Sequence, residues 1–367
     1  MKVLILGCGF AGLEVAKTLR KRSKELEICA IDRRTRFEYL AALPEILSGK
    51  VTPDDISVDL NKFATSINAE YINAEVVDID FIAKTVKIST SEISYDYLVL
   101  AVGAEQTFFG IPGAEEYSYS VNTMEGALRT REALDKLDSI EESSVAVIGA
   151  GLTGVEVAGE LLDYFKKRAA AARIYLVEMM PMVLPAFSHR NLANSVRNSL
   201  SGRGVEIATE TAVQEVGADA ILFTDGEKIP YDIIIWTAGI RPNSLVQKLA
   251  LPKTKGWLHV DSNLRVPGQK GTFAVGDTIY FERDGARSGQ NVEEAERQGK
   301  VAAGNLIRAI KGEKLKRYRP KNTVQNPRAF ISLGENKAVI YFAGKVITVC
   351  AYKLKKYVEH RYMRGLQ

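Results

Sequence analysis

Two glycine-rich turns, each between an apolar strand and an apolar helix, constrain this chain more than any other feature. The first opens it. Val3–Leu6 reads as a buried strand, Gly7-Cys8-Gly9-Phe10-Ala11-Gly12 as the turn and Leu13–Lys21 as the helix. Leu26–Ile31 follows as a second strand ending at Asp32. The pattern returns about 140 residues later, the span of one ordinary domain. There Val145–Ile148 is the strand, Gly149-Ala150-Gly151-Leu152-Thr153-Gly154 the turn, Val155–Arg168 the helix and Ile174–Val177 the next strand, ending at Glu178.

Each part has a physical task. The first glycine permits the tight turn, the second lets the backbone approach a pyrophosphate, and the third lets helix pack on strand. The helix N-terminus offers unpaired N–H groups to the phosphates, and the acid accepts from a ribose diol. Both copies keep all three glycines and the acid, so bare structural duplication is a poor account. Glu178 suits a free 2′-hydroxyl and repels a 2′-phosphate. No arginine follows it in Met179-Met180-Pro181, so the second site is expected to favour NADH over NADPH.

Two further apolar runs, Tyr97–Val102 before Gly103 and Ile233–Thr237 before Ala238-Gly239, read as crossover strands returning to each sheet, or as ordinary strand–turn units. In Thr272–Asp277 a short strand meets Gly276 and Asp277. Asp277 could bond a cofactor hydroxyl or a phosphate-bound water, or cap a helix. Its lateness suggests that one dinucleotide domain is interrupted by another. The expected fold is α/β: two Rossmann-like domains, one spanning 1–115 and 246–320 around an inserted 116–245, with a small C-terminal segment at 321–367.

Composition narrows the chemistry. Three cysteines in 367 residues, Cys8, Cys29 and Cys350, are neither a disulfide framework nor a metal cluster, and no CxxC is present. A net charge of +4 makes no case for nucleic acid. The first apolar run goes straight into a glycine turn, unlike a secretory signal, and nothing approaches the ~20 apolar residues of a spanning helix. Any membrane contact is expected to be peripheral. Of the three histidines, His189 reads as solvated, His259 as a strand residue and His360 as part of a basic tail; none is assigned to catalysis.

With two such units and the TFAVGD strand, the chain resembles the two-dinucleotide-binding-domain flavoproteins. Four stretches, RFEYLAALPEILSGKVTPDDI (36–56), FFGIPGAEEYSYSVNTMEGALRTREAL (108–134), LPAFSHRNLANSVRNSLSGRGVEI (184–207) and IIWTAGIRPN (234–243), look like type II NADH dehydrogenases. The resemblance implies FAD at the first site, with Gly7, Gly9, Phe10, Ala11, Gly12, Asp32, Arg33, Leu43, Pro44, Val77, Ala101, Gly103, Gly276 and Asp277 around it. It implies NADH at the second, with Gly149, Gly151, Thr153, Gly154, Glu178, Ala238 and Gly239. Leu40–Pro44 would run beside the isoalloxazine. Glu156 matches an acid near the nicotinamide–flavin contact, and Lys355 a lysine on the quinone side. The implied activity is hydride transfer from NADH to FAD and two electrons to a membrane quinone, without proton pumping, at the cytoplasmic face of the membrane.

The chain departs from the family at 292–299. It reads VEEAERQG where the family shows AQxAxQQG, so Glu293 and Arg297 replace glutamines. A Glu–Arg pair four residues apart is either a surface ion pair or part of the acceptor entrance, with Glu293 supplying a proton. A soluble flavin oxidase or reductase passing electrons to oxygen or a carrier protein is the main rival, and an NADH-switched binding partner a weaker one. Residues 33–60 hold no cysteine, so dithiol exchange is excluded. Cys350 has no partner between 150 and 200, which disfavours sulfide oxidation.

Residues 337–352 make two short strands around a glycine or a strand entering a helix, then a basic helix follows. Leu354, Tyr357, Val358 and Tyr362 share one face; Lys353, Lys356, His360 and Arg364 share the other. Such a helix either packs on its own domain or lies on an anionic membrane surface. The run KLKRYRPK at 314–321 reads as an exposed linker. A homodimer is left open.

Overall fold

The computed structural model describes residues 1–139 and 143–367. Its two main sheets are each five-stranded and parallel. The first has the spatial order Thr272–Ala274, Tyr97–Leu100, Lys2–Leu6, Glu27–Asp32, Glu70–Asn73. The second has the order Ser118–Tyr119, Ile233–Trp236, Ser143–Ile148, Ala172–Val177, Val205–Ala208. A parallel sheet covered on both faces needs strands apolar throughout, and VLIL, VAVI and IIIW supply them: all these side chains are buried. The runs at 97–102 and 233–237 do return as crossover strands. Tyr97–Leu100 pairs in parallel with Lys2–Leu6, and Ile233–Trp236 with Ser143–Ile148.

The two sheets are built alike. In each, an excursion between two parallel strands carries a three-stranded antiparallel meander: Val76–Asp80, Thr85–Ile88 and Glu92–Ser94 between Glu70–Asn73 and Tyr97–Leu100, and Val213–Val216, Ala220–Phe223 and Lys228–Pro230 between Val205–Ala208 and Ile233–Trp236. The sheets then join. Just past Gly103, Ala104–Gln106 pairs antiparallel with Ile240–Pro242, just past Gly239. Asn243 Nδ2 donates to the Val102 carbonyl at 3.3 Å. The carboxyl ends of both sheets are thereby held side by side, which is where open parallel sheets bind ligands.

A closing helix, Val292–Ile310, lies on the first-loop helix, Phe10–Arg22. Small residues allow the approach: a Cβ on Gly299 would come within 2.7 Å of the Ala11 carbonyl oxygen. The hairpin Ala329–Ser332, Ala338–Phe342 and Lys345–Ile347 packs on the second-loop helix, Leu152–Arg168. A C-terminal helix, Ala351–Arg364, follows. Both tail readings therefore hold together, two strands around Gly344 and then a helix.

Three expectations need correction. First, the C-terminal helix is turned differently. Ala351, Lys355, Glu359 and Met363 face inward, and Leu354, Tyr357 and Val358 face out. Tyr362 leaves that outer set: its ring lies 5.3 Å from Phe10, 5.9 Å from Phe37 and 5.5 Å from Tyr39. Carboxylates beneath the helix, not hydropathy, choose its inner face. Second, the segment 314–321 is exposed at Lys314, Lys316, Arg317, Arg319 and Lys321, as expected, but it is pinned in its middle, where Tyr318 is buried and donates to Glu294. Third, His189 is half-buried. Its Nδ1 accepts from Leu192 N at 3.3 Å, capping Arg190–Ser201, and its ring lies 5.0 Å from that of Tyr341. Among the described residues no helix is long and apolar enough to cross a membrane.

Candidate functional site

At the first loop, Gly7 has φ +96°, and a Cβ on Gly12 would sit 1.9 Å from the Gly7 carbonyl oxygen, so neither position admits a side chain. Above Gly9 a side chain would meet nothing within 4 Å. The helix behind it has no side-chain cap and no acid in its first turn. Its N–H groups and positive end are free for an anion. Asp32 is buried at the strand end. Its Oδ2 accepts from Cys8 N at 2.7 Å and its Oδ1 from Arg34 N at 2.9 Å. The arginine that engages Asp32 and Glu38 is thus Arg34; Arg33 is exposed.

Asp277 gives an independent sign of a ligand. It has no hydrogen-bond or ion-pair partner among the described residues, and burial alone pushes its pKa up to about 6. The turn before it is fixed by Gln298, whose Oε1 accepts from Gly276 N at 2.6 Å. Gly103 N donates to Thr278 Oγ1 at 2.9 Å, bringing the Ala101–Gly103 end beside the same turn. Leu43 and Pro44 are buried at the start of the short helix Pro44–Ser48. An open phosphate cradle, a strand-end acid and a desolvated carboxylate without a donor fit FAD. Val77 stands apart on its meander strand with its side chain about half exposed.

The second loop repeats this geometry. A Cβ on Gly154 would sit 1.8 Å from the Gly149 oxygen, and above Gly151 there is open space. Glu178, buried, accepts from Ala150 N at 2.8 Å and Met180 N at 2.9 Å. Thr153 is half-buried in the first helical turn. The Ala238 backbone packs under Gly149, and the exposed Phe109 ring lies against Gly239.

A buried group of charges lies where the short helix, the second-loop helix and the C-terminal helix meet. Lys355 Nζ is 2.7 Å from Glu45 Oε1, 3.1 Å from Glu359 Oε1 and 3.7 Å from Glu156 Oε1. Lys356 Nζ is 2.7 Å from Glu45 Oε2 and 2.6 Å from Glu359 Oε2. Glu156 Oε1 also accepts from Ser332 N at 2.9 Å. Burial pushes the Glu156 carboxyl up to about 7, against the pull of Lys355 and the Ser332 amide and with the push of Glu45 and Glu359. Burial also raises Glu45, but Lys355 and Lys356 outweigh it and hold this carboxyl below its ordinary value. Lys355 is held well above its ordinary value: burial would lower it, and the facing carboxylates prevail.

The structure thus brings Glu156 and Lys355 together, but not Glu293. That residue pairs with Arg328 at 3.3 Å and accepts from Asn322 Nδ2 at 3.2 Å. Arg297 does not pair with Glu293: it reaches Glu294 at 3.5 Å and the Arg319 carbonyl at 2.7 Å. Replacing both glutamines leaves each new charge with a partner outside the proposed pair. Sequence reasoning missed Glu45, Glu359 and Gln290, while Gln298 fits the family pattern at 292–299 and had been given no role. Gln290 precedes the closing helix, and its buried Nε2 has no partner among the described residues. Glu45 and Glu359 had a signal in the spacing of acids to Lys355 and Lys356, but only the fold shows that both turn inward. Cys8 and Cys29 are buried and Cys350 is exposed, all unpaired.

The chain is similar to demethylphylloquinone reductase NdbB of Synechocystis, 30% identical over 75% of this chain and 71% of that one. It is 28% identical to the type II NADH:quinone oxidoreductase of Staphylococcus aureus, covering 98% of this chain and 94% of the relative. In fold it matches sulfide:quinone oxidoreductase of Aquifex aeolicus, with TM-score 0.87, 24% identity and coverage of 100% and 91%. NDH2 of Plasmodium falciparum in complex with NADH matches with TM-score 0.86, 19% identity and coverage of 100% and 94%. The family model described as pyridine nucleotide-disulphide oxidoreductase matches residues 1–299, and the chain belongs to that family.

Proposed function

We propose that the chain is an FAD-dependent NADH:quinone oxidoreductase that does not pump protons. The observation that carries this reading is the strand pairing of 104–106 with 240–242, which sets the two nucleotide loops at adjoining sheet ends. FAD supplies the hydride-accepting ring. The chain's own task is to hold two dinucleotides and to admit an acceptor. The Gly9 cradle, Asp32 and Asp277 bind the FAD; the Gly151 cradle and Glu178 bind NADH. Names of the relatives, a demethylphylloquinone reductase and type II NADH:quinone oxidoreductases, support a quinone as acceptor. We place it beneath the C-terminal helix, beside Leu40–Pro44, where burial brings the Glu156 carboxyl into the neutral range, to about 7.

Peripheral membrane attachment belongs to the same reading, at the cytoplasmic face. Leu354, Tyr357 and Val358 form an exposed apolar strip beside Val349 and Ile347. Exposed Lys353, His360, Arg361 and Arg364 flank it. Apolar area with basic neighbours suits an anionic headgroup layer.

The test is an anaerobic titration. NADH should bleach the flavin absorbance of the FAD-loaded protein, and menadione should restore it. Bleaching followed by reoxidation with a carrier protein or oxygen alone would refute the quinone assignment. No bleaching would refute the whole reading.

A further inference from the structure

The charges beneath the C-terminal helix are unequal in number. Among the described residues, the ion pairs of Glu45, Glu156 and Glu359 are with Lys355 and Lys356. A buried group of this kind favours zero net charge, so one carboxyl keeps a proton. Glu156 is that one: its ammonium contact, at 3.7 Å, is longer than those of Glu45 and Glu359 to the same Lys355, at 2.7 and 3.1 Å.

The proposed reaction takes one proton from water in each turnover: NADH + H⁺ + quinone gives NAD⁺ + quinol. Both electrons and one hydrogen come from NADH. If Glu156 gives the other proton to the quinol oxygen, its carboxylate must be recharged from solvent.

Two side-chain paths lead away from Glu156. One passes Ser332 to Glu160, Lys50 and Asp163. Ser332 meets Glu156 with its main-chain N–H and Glu160 with its hydroxyl, at 3.3 Å. A peptide N–H donates a hydrogen bond but keeps its proton, so this path is broken at its first step. The other passes Lys355 to Glu359 and the partly exposed Lys356, with side chains only and contacts of 3.7, 3.1 and 2.6 Å. Each Glu359 oxygen lies against one of the two ammonium groups, and Lys356, about a third exposed, connects the pair to solvent.

We propose that Glu359 is the proton-uptake residue for the acceptor reaction, with Lys356 at its rim. The inference rests on the quinone-reductase reading above. In one concerted shift Glu359, protonated from water, gives its proton to Lys355 as Lys355 gives one to the ionised Glu156 carboxylate, so the ammonium is never left neutral among its facing carboxylates. The charged and titratable groups around this path are Glu45 on the short helix, Glu156 on the second-loop helix and Lys355 and Lys356 on the C-terminal helix. Tyr39, just before Leu40–Ala42, is buried within reach of the charges of Glu359, Lys355, Glu296 and Glu156.

The experiment uses the full-length FAD-loaded protein carrying Glu359→Gln, with Glu359→Asp and Glu160→Gln beside it. Bleaching by NADH should keep its wild-type rate in Glu359→Gln. Reoxidation by menadione should slow about a hundredfold, the lower range for loss of a positioned proton-transfer group. Formate should restore it, as should Glu359→Asp. In resting protein without NADH or quinone, the Glu156 carboxylic-acid infrared band should answer a pH jump more slowly in Glu359→Gln. Glu160→Gln should lower the melting temperature and show no formate effect. If Glu359→Gln does not fold, Lys356→Met should show the same formate-dependent recovery. Wild-type reoxidation in Glu359→Gln would overturn the proposal, and so would a slow variant that formate does not help and whose infrared response is unchanged. Wild-type protein that menadione cannot reoxidise would refute the quinone reading instead, while the infrared experiment still tests Glu359.

Discussion

Glu156→Gln should change how the stability of this protein depends on pH, with a size set by burial. The Glu156 carboxyl has a pKa of about 7 in the folded chain, against 4.5 when unperturbed. At 1.36 kcal/mol for each pH unit, the difference is about 3 kcal/mol. The sign follows from linkage. The folded pKa is raised, so the folded state binds the proton more tightly than the unfolded state does. The resulting stability is fully present below 4.5 and is lost as pH rises through about 7. Glutamine is neutral throughout and escapes the loss. The melting entropy is about 2.1 cal/mol/K per residue; over 367 residues this gives roughly 0.8 kcal/mol/K, hence about 4 °C. The assay is calorimetric melting of both proteins across that range with excess FAD, so that ligand linkage is equal. Relative to Glu156→Gln, wild type should lose about 4 °C from the acid end to the alkaline end. A constant difference would refute the reasoning, because it would mean that Glu156 is ionised or solvated throughout.

Other perturbations give signs that are hard to obtain by accident. Asp277→Ala should weaken FAD binding, at about 1.5–3 kcal/mol for a lost hydrogen bond to a charged group. It should leave the FAD-free protein as stable or more so, since a buried carboxylate without a donor is removed; FAD equilibrium dialysis and melting of the stripped protein test the two halves. Glu178→Arg should raise the KM for NADH and lower that for NADPH, and unchanged selectivity in steady-state kinetics would refute the assignment of that residue. Replacing Leu354, Tyr357 and Val358 together by serine should reduce sedimentation with anionic liposomes and leave the melting temperature near wild type, because these side chains already face solvent.

The parts of the molecule set by backbone geometry were legible in the sequence. A glycine with φ +96° and a glycine whose Cβ would strike that turn leave a local pattern, and the buried strands around them read as apolar runs. The parts set by charge meeting charge across the fold were not. Lys355 and Glu359 look like the polar side of an amphipathic helix until Glu45 and Glu156 are found beneath them, some 310 and 199 positions earlier for Lys355. Glu293 and Arg297 have the spacing of a helical pair, yet Arg328 and Glu294 are the better-placed partners. Helical spacing states which side chains share a face, not what the rest of the chain brings to it.

The buried charges also bear on why the C-terminal helix is there. An ion pair in an interior is seldom worth more than well-packed apolar side chains of the same volume, and removing one partner costs about 3–5 kcal/mol. Stability alone would therefore favour leucines at the positions of Glu45, Lys355 and Glu359. The helix has other anchors, since Tyr362 packs in the aromatic group of Phe10, Phe37 and Tyr39, and Met363 and Leu366 are buried. Its charges are thus superfluous as glue. They accomplish something that apolar packing cannot: a carboxyl able to take and give a proton near pH 7 is held on the helix that follows the second nucleotide loop, seven residues from Gly149. The proposed reaction draws one proton from water per turnover, and such a group is placed to deliver it.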